Sequence, residues 1–261
     1  MILITLTTVI QVMTSTLLKP DYIEKQLDEV NYYASVYNKV EENFGQYILQ
    51  SGLDEHVIDN IVTEEQIKQD IQNIINAIYN NEEYTVSTEL VKENLEKNIE
   101  KYLDENNIYL NSSEEKSIDE FVSLIVDTYE NSVTNANLFK NVNTLIYKIE
   151  QLSNIAQIIG YVSIVVLILI IIIINRNVNN SLKGICISLL SSGLLLLIPT
   201  IILQFKNLDK IFIFSKHLSD LIYSVIQNIC NTFLIISVIY ILISICIIFI
   251  YGYRKNNKKI L

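Results

Sequence analysis

Three long apolar runs in the second half of the chain restrict its fold more than any other feature. The runs lie near residues 155–174, 184–203 and 231–251, hold about twenty residues each and contain no charged side chain. At a rise of 1.5 Å per residue, a helix of that length matches the hydrocarbon core of a bilayer, which is about 30 Å thick. Backbone groups in lipid must be hydrogen-bonded within their own segment, so the runs are predicted to be transmembrane helices. The alternative, three buried core helices of a soluble protein, is disfavoured by their length and lack of charge.

Residues 1–18 are a fourth candidate for a span. The segment carries no charge until its end, but seven of its eighteen residues are Thr, Ser or Gln. An uncleaved transmembrane anchor is preferred over a cleaved signal peptide, because no small-x-small cleavage site stands out and no basic residues precede the apolar stretch. The missing basic flank also leaves open a true start upstream. The preferred architecture has four spans.

Charge divides the chain into two parts. Residues 20–153 contain 27 Asp or Glu against 9 Lys, whereas residues 154–261 contain 9 Lys or Arg against 2 Asp. Apolar residues in the first part recur at helical spacing with acids opposite, which predicts a helical bundle. The fold class is therefore expected to be all-α. The predicted order is an anchor (1–18), an acidic helical domain (19–153), a transmembrane region (154–253) and a basic tail (254–261).

Local capping patterns place several helix ends within the acidic domain. Gly52 is suited to the left-handed position that closes a helix. Thr63 and Gln66 have the spacing of a capping box at the start of a helix, and Ser112 and Glu115 have the same spacing. These pairs predict two helix starts.

Two further segments are predicted to connect the acidic domain with the membrane. No Pro or turn dipeptide interrupts residues 136–174, which predicts one continuous helix about 58 Å long. Residues 205–228 are amphipathic and are expected to form a helix in the headgroup region. Packing of residues 205–228 against the acidic bundle is the competing interpretation, since this segment carries three lysines.

The distribution of cations gives the predicted orientation. A simple count does not decide it, because six cations fall on the side of the tail and seven on the other. The tail 254–261 is dense, with four cations and no acid. Lysines within a large domain count little, since long domains are translocated largely regardless of charge. The tail is therefore predicted to be cytoplasmic and the acidic domain extracytoplasmic.

A modest resemblance supports this layout. It rests on LKPDYIEKQL at 18–27, on NYY at 31–33 with Tyr37, and on Tyr47 followed by the SGL at 51–53. In these features the chain resembles a group of uncharacterised polytopic membrane proteins of low-GC Gram-positive bacteria. The resemblance implies a first span, an extracytoplasmic helical domain, three C-terminal spans and a bacterial plasma membrane, and it implies no activity. The missing basic N-terminal flank departs from that pattern.

The sequence offers no catalytic or metal-binding constellation. Its two histidines, His56 and His217, stand apart, and the HExxH, CxxC, P-loop and GxGxxG motifs do not occur. The three cysteines, Cys186, Cys230 and Cys246, lie in or beside the predicted spans, so neither a zinc site nor a disulfide framework is expected in the acidic domain. The acidic pairs lack the pattern of a calcium loop and are interpreted as a solvated face. No catalytic, cofactor-binding or metal-binding residue is therefore assigned, and an enzyme is not expected.

The spans suggest anchoring rather than transport. They contain no ionisable residue in the apolar runs, which disfavours an ion-coupled transporter. A patch of small residues, Ser188, Ser191, Ser192 and Gly193, predicts close helix packing, either within the chain or in a homo-oligomer. The preferred hypothesis is a membrane-anchored interaction protein, sensor-like or an accessory subunit, with the lipid bilayer and envelope proteins as partners. A transporter or channel component is the alternative. Nucleic acid is excluded as a partner, because the chain has no basic footprint.

Overall fold

A computed structural model describes residues 1–134, 142–176, 178–205 and 216–257. All regular structure in these ranges is helical, so the predicted all-α class is confirmed. The α-helices are α1 (Ile2–Ser15), α2 (Pro20–Glu29), α3 (Tyr32–Ser51), α4 (Glu64–Asn80), α5 (Glu89–Asn106), α6 (Ser112–Thr134), α7 (Val142–Asn175), α8 (Val178–Phe205) and α9 (Lys216–Asn257). The chain divides into a membrane unit, Met1–Ile23 with Lys148–Leu261, and an acidic unit, Glu24–Tyr147.

The acidic unit is built from one-sided helices around a shared apolar core. Each helix from α3 to α6 buries apolar residues three or four apart and leaves its acidic residues in solvent, with the exception of Asp70 in α4. Helix α3 packs on α4 and α6, and α5 packs on α6. A short 3-10 helix, Glu55–Ile58, follows α3 and buries Val57. The most deeply buried large apolar side chains of the core are Phe44, Ile48, Ile61, Ile67, Leu95, Ile125 and Tyr129.

The predicted ends of α3 and α4 are confirmed. Gly52 closes α3 with φ of 77°, in the left-handed region that glycine adopts at little cost. The side-chain oxygen of Thr63 accepts a hydrogen bond from the backbone N–H of Gln66, with an N···O distance of 3.2 Å. Thr63 thereby satisfies one of the amides that the first turn of α4 leaves unpaired.

The predicted start of α6 is displaced by one residue. The side chain of Asn111, and not that of Ser112, accepts from the N–H groups of Ser113 and Glu114. The carboxylate of Glu114 in turn accepts from the backbone N–H of Asn111, at 2.8 Å. Asn is among the strongest N-cap residues, so it takes the cap position ahead of the serine that follows it.

The cap at Thr63 gives a first testable prediction. Thr63→Ala should destabilise the start of α4 by about 1 kcal/mol, since one amide loses its partner. Thr88→Ala is the matched control, because Thr88 occupies the same position before α5 and makes no side-chain cap bond. Hydrogen exchange of the full-length protein in neutral detergent measures both, at the first turn of each helix. Equal acceleration of exchange in the two variants would contradict the assignment.

Three helices of the membrane unit are long and apolar enough to cross a bilayer. They are Ile146–Asn175, Asn180–Phe205 and Leu218–Gly252, and each contains one of the predicted spans. Helices α8 and α9 run antiparallel, with the Nε2 of Gln204 2.9 Å from the Oδ1 of Asn231 near one end of their contact. This arrangement is typical of a multi-pass membrane protein.

Two predicted segments differ in the structure. The prediction of a separate interfacial helix in 205–228 is wrong for its described part, because Lys216 begins α9, which continues without a break to Asn257. The reason is local: between Lys216 and Tyr251 no Pro or Gly interrupts the helix. Helix α7 begins at Val142, and the earlier part of the predicted 136–174 helix lies outside the described residues.

The N-terminal helix is shorter than the predicted anchor. Helix α1 has 14 residues, so it is about 21 Å long and does not match the hydrocarbon thickness by itself. It is followed by α2 at an angle of 69°, and the bent pair together could form a fourth span. Four spans therefore stay a prediction.

Candidate functional site

Of the titratable residues singled out in the sequence, the structure describes the side chains of His56, Cys186, Cys230 and Cys246. His56 is exposed on the 3-10 helix, with its Nδ1 2.8 Å from the Oδ2 of Asp59. This hydrogen bond raises the pKa of His56, in agreement with a surface role. The side chain of His217, in α9, lies outside the described part of the chain. Of the cysteines, Cys186 and Cys230 are buried in the membrane unit and Cys246 is exposed.

A groove of about 550 Å³ in the acidic unit is lined by residues of three helices, α3, α5 and α6. Its walls are the end of α3, the end of α5, the α5–α6 loop and the first half of α6. The volume lies within the usual range for ligand sites. The residues of this groove include Tyr47, Gly52, Leu53, Tyr102, Leu103, Ile108, Leu110, Glu114, Ile118, Glu120, Phe121 and Leu124.

The floor of the groove is apolar and partly open to solvent. Ile108 is 40% exposed and Leu124 is 41% exposed, so each presents aliphatic surface that folding leaves uncovered. Phe121 also lines the groove and is buried in the core. The sequence does not predict this surface, although the apolar triplet 108–110, which is not helical, is a hint of it. Apolar residues in a short loop are expected to pack against other apolar surface, either of the same chain or of a partner.

The rim of the groove is acidic. Its charged lining residues are Glu114 and Glu120, and no Lys, Arg or His lines it. Lys116 lies 3.9 Å from Glu120, but both side chains are more than 70% exposed, so this pair neutralises the rim only weakly. The C-termini of α3 and α5 also meet here, and neither helix has a basic residue in its last turn. Helix C-termini carry partial negative charge, which adds to that of the carboxylates.

A buried carboxylate fastens α6, the helix that forms one wall of the groove. Asp70 of α4 is 7% exposed, and its Oδ2 accepts a hydrogen bond from the hydroxyl of Tyr129 on α6, at 2.5 Å. The hydroxyl of Tyr84 donates to the other oxygen, at 3.2 Å. Burial and the hydrogen bond to Asp70 raise the pKa of Tyr129 far above its usual range. The two tyrosine hydroxyls therefore supply the polar partners that a buried carboxylate requires.

A second buried tyrosine lies between α3 and α4. The ring of Tyr33 packs beneath the ammonium of Lys68, with 5.3 Å between Nζ and the ring centroid. Its hydroxyl is buried without a hydrogen-bond partner among the described residues. Burial raises the pKa of Tyr33, and the neighbouring carboxylates of Asp28 and Glu24 raise it further. The Tyr33 hydroxyl thus contributes little to stability while it is neutral.

These tyrosines predict that the acidic unit loses stability at alkaline pH. A tyrosine with a raised pKa keeps its proton in the folded state, while the unfolded chain releases it above about pH 10. The unfolded state then binds fewer protons, so the free energy of unfolding falls as pH rises beyond that point. Tyr37, whose pKa the hydrogen bond to Glu41 raises to about 12, adds to the effect.

Tyr33→Phe provides the test. The variant should match or slightly exceed wild-type stability at neutral pH, because it removes an unpaired buried hydroxyl. It should also lose less stability above about pH 10. Thermal unfolding of the full-length protein between neutral and alkaline pH measures both effects. Tyr109→Phe is the control, since Tyr109 is 91% exposed. A wild-type protein whose melting temperature does not fall with alkaline pH would contradict the prediction.

The membrane unit buries hydroxyl groups where α1 meets the longer helices. The Oγ1 of Thr8 lies 2.7 Å from the hydroxyl of Tyr240 on α9, and Thr8 also donates to the Ile4 carbonyl. A Cβ placed on Gly160 of α7 would lie 2.5 Å from the Oγ1 of Thr7, so α1 and α7 come close there. The threonine side chains of segment 1–18 thus pack inside the unit, and each hydroxyl donates a hydrogen bond to a backbone carbonyl of the preceding turn.

The predicted small-residue patch packs within the chain. The Oγ of Ser192 donates to the carbonyls of Ser188 and Met1. A Cβ on Gly193 would lie 3.1 Å from the Ser237 carbonyl oxygen on α9. The patch therefore mediates contacts of α8 with α1 and α9, and self-association through it stays a prediction.

No protein-family profile, curated protein or solved structure matches this chain. The resemblance to membrane proteins of Gram-positive bacteria therefore remains an expectation from the sequence. Any functional assignment has to start from the groove, its charge and the apolar helices.

Proposed function

We propose that this chain is a multi-pass protein of a bacterial plasma membrane whose acidic unit is an extracytoplasmic binding module. It would act as a sensor-like protein or as an accessory subunit of an envelope complex, and not as an enzyme. The observation that carries the proposal is the groove, with its uncovered apolar floor and acidic rim, in a chain that also has three apolar helices. Concave apolar sites with a few placed polar groups are the usual form of binding sites.

The predicted orientation supports an extracytoplasmic partner. The dense cations of the tail 254–261 favour its retention in the cytoplasm. Three apolar helices separate the tail from the acidic unit, and three crossings of the membrane would leave the acidic unit outside. The alternative, a transporter or channel component, has weaker support. Gly193 lets α8 and α9 pack closely, and such packing fits an anchor better than a conducting path.

Site-specific photo-crosslinking tests the binding role. A photoreactive phenylalanine analogue at Leu124, in the groove, should yield a discrete adduct with an envelope protein in the cells that natively carry the chain. The same group at Leu90 is the matched control, because Leu90 is 51% exposed and lies outside the groove. Adducts of the same pattern and yield at both positions, or none at position 124, would contradict the proposal.

A further inference from the structure

The groove also indicates the chemistry of its occupant. We infer that it binds an amphipathic cationic peptide helix, whose apolar side chains cover the floor and whose Lys or Arg side chains meet the acidic rim. This inference rests on the proposed function, because it names the class of partner for the same groove. Its three elements are an apolar contact face, positive charge and helical conformation.

The apolar contact face follows from the floor. Ile108 and Leu124 line the groove and are about two-fifths exposed, and the buried Phe121 lines it as well. An occupant that covered both aliphatic side chains would remove their surface from water, which favours binding by about 25 cal/mol per Å² of apolar area. A fully polar ligand would gain nothing from this surface.

Positive charge follows from the electrostatics of the rim and of the whole unit. Glu114 and Glu120 line the groove, and the C-terminal ends of α3 and α5, whose last turns hold no basic residue, add to their field. Around them, Glu24–Tyr147 contains 25 Asp or Glu against 8 Lys. A single small cation would interact only with the two carboxylates of the rim. A peptide with several cationic side chains is also attracted by the other acidic residues of the unit, which favours its binding. The same field repels the acidic unit of a second copy, so that unit is not the occupant.

A helical conformation follows from the architecture of the acidic unit. An extended peptide that binds by strand addition needs a sheet edge, and the described part of this unit contains no strand. A groove between helices instead accepts the apolar face of another helix, with anchors three or four residues apart. The facing walls of α5 and α6, with the loop between them, provide such a groove.

Binding of designed peptides to the full-length protein tests this inference. Three labelled helical peptides of equal length would be compared by fluorescence anisotropy in neutral maltoside detergent: Leu/Lys, Leu/Gln and Leu/Glu. The Leu/Lys peptide should bind saturably, and its affinity should fall several-fold as salt screens the charges. The Leu/Gln peptide should bind at least about tenfold more weakly, since it keeps the apolar face and loses the charge. The Leu/Glu peptide should not bind.

Groove variants locate the site. Leu124→Gln and Ile108→Gln should each weaken Leu/Lys binding about tenfold, and Glu120→Gln should weaken it by a smaller factor. Leu90→Gln is the matched control, with a similarly exposed aliphatic side chain outside the groove, and it should leave binding unchanged. The side chains of Ile108 and Leu124 are partly exposed, so the two variants are expected to fold. Circular dichroism checks that they do.

Two outcomes would overturn the inference. Equal affinity for the Leu/Lys and Leu/Gln peptides would remove the electrostatic element, and unchanged binding by Leu124→Gln would place the peptide elsewhere. These failures are distinguishable from failure of the proposed function. A discrete photo-adduct at position 124, together with no binding of the Leu/Lys peptide, would keep the groove as a binding site and reject a cationic helix as its occupant.

Discussion

Replacing Tyr129 by phenylalanine should lower the free energy of unfolding of the acidic unit by about 2 kcal/mol. The substitution removes one hydroxyl and keeps the ring, so the core packing around this fully buried side chain stays intact. What is lost is a hydrogen bond to the Asp70 carboxylate, and bonds to charged groups contribute about 1.5–3 kcal/mol. In the variant, Asp70 remains buried and keeps the hydrogen bond from Tyr84. The carboxylate oxygen that loses the bond from Tyr129 is left without that donor, and this loss causes much of the cost.

Hydrogen exchange of α4 and α6 in the full-length protein measures the effect. Tyr109→Phe serves as the control for loss of a tyrosine hydroxyl at an exposed position and should stay within about 0.5 kcal/mol of wild type. In a double-mutant cycle, Asp70→Asn should reduce the cost of Tyr129→Phe, because the acceptor is then uncharged. A cost for Tyr129→Phe no greater than that for Tyr109→Phe would mean that the buried pair does not hold α6 to α4.

Gly193→Leu should separate α8 from α9. Even a single Cβ atom added at position 193 would lie 3.1 Å from the Ser237 carbonyl oxygen and 3.1 Å from the Ile241 side chain. The Ser237 carbonyl oxygen belongs to the backbone of α9 and cannot rotate away as a flexible side chain can. The remaining side-chain atoms of a leucine at position 193 therefore have no space. Overpacking of this kind costs about 1–3 kcal/mol, and in a two-helix contact it is expected to open the interface.

The native cysteines provide the readout for Gly193→Leu. Cys246 is exposed in the wild type, whereas Cys186 and Cys230 are buried, so a small alkylating reagent in detergent should modify Cys246 first. In the variant, Cys186 should react much faster, since it packs against α9 near Ser244. Gly252→Leu is the control, because nothing among the described residues lies within 4 Å of a Cβ there. Unchanged protection of Cys186 in Gly193→Leu would contradict the close packing.

The sequence predicts the helices better than it predicts their contacts. The uncharged runs near 155–174, 184–203 and 231–251 are recognisable because bilayer thickness imposes their length, and the long helices that contain them confirm this. Thr63 and Gly52 are recognisable because caps and stops depend on neighbours within one turn. By contrast, the sequence does not predict the start of α9 at Lys216. The amphipathic stripe before the apolar run has the same helical period as the run itself, so the pattern does not show that the two belong to one helix.

The candidate site depends on long-range contacts that no local pattern contains. Asp70 belongs to the acidic domain but is buried, and the hydroxyls of Tyr84 and Tyr129 compensate for this burial by donating hydrogen bonds to its carboxylate. Its place within the apolar stripe of α4, between Ile67 and Ile71, was the available hint. The groove likewise arises only when the ends of α3 and α5 meet α6, so its lining could not be assembled from the sequence.

The proposed function depends on which side of the membrane carries the acidic unit, and cysteine accessibility measures this directly. Cys186, Cys230 and Cys246 would be replaced by serine, and single cysteines placed at Tyr109, which is exposed in the acidic unit, or at Asn180, which is exposed at the start of α8. Intact cells would then be treated with a membrane-impermeant thiol reagent. Labelling at position 109 and not at 180 is the predicted result and directs the search to extracytoplasmic cationic partners. Labelling at 180 and not at 109 would contradict the proposed orientation and make the acidic unit a cytoplasmic module.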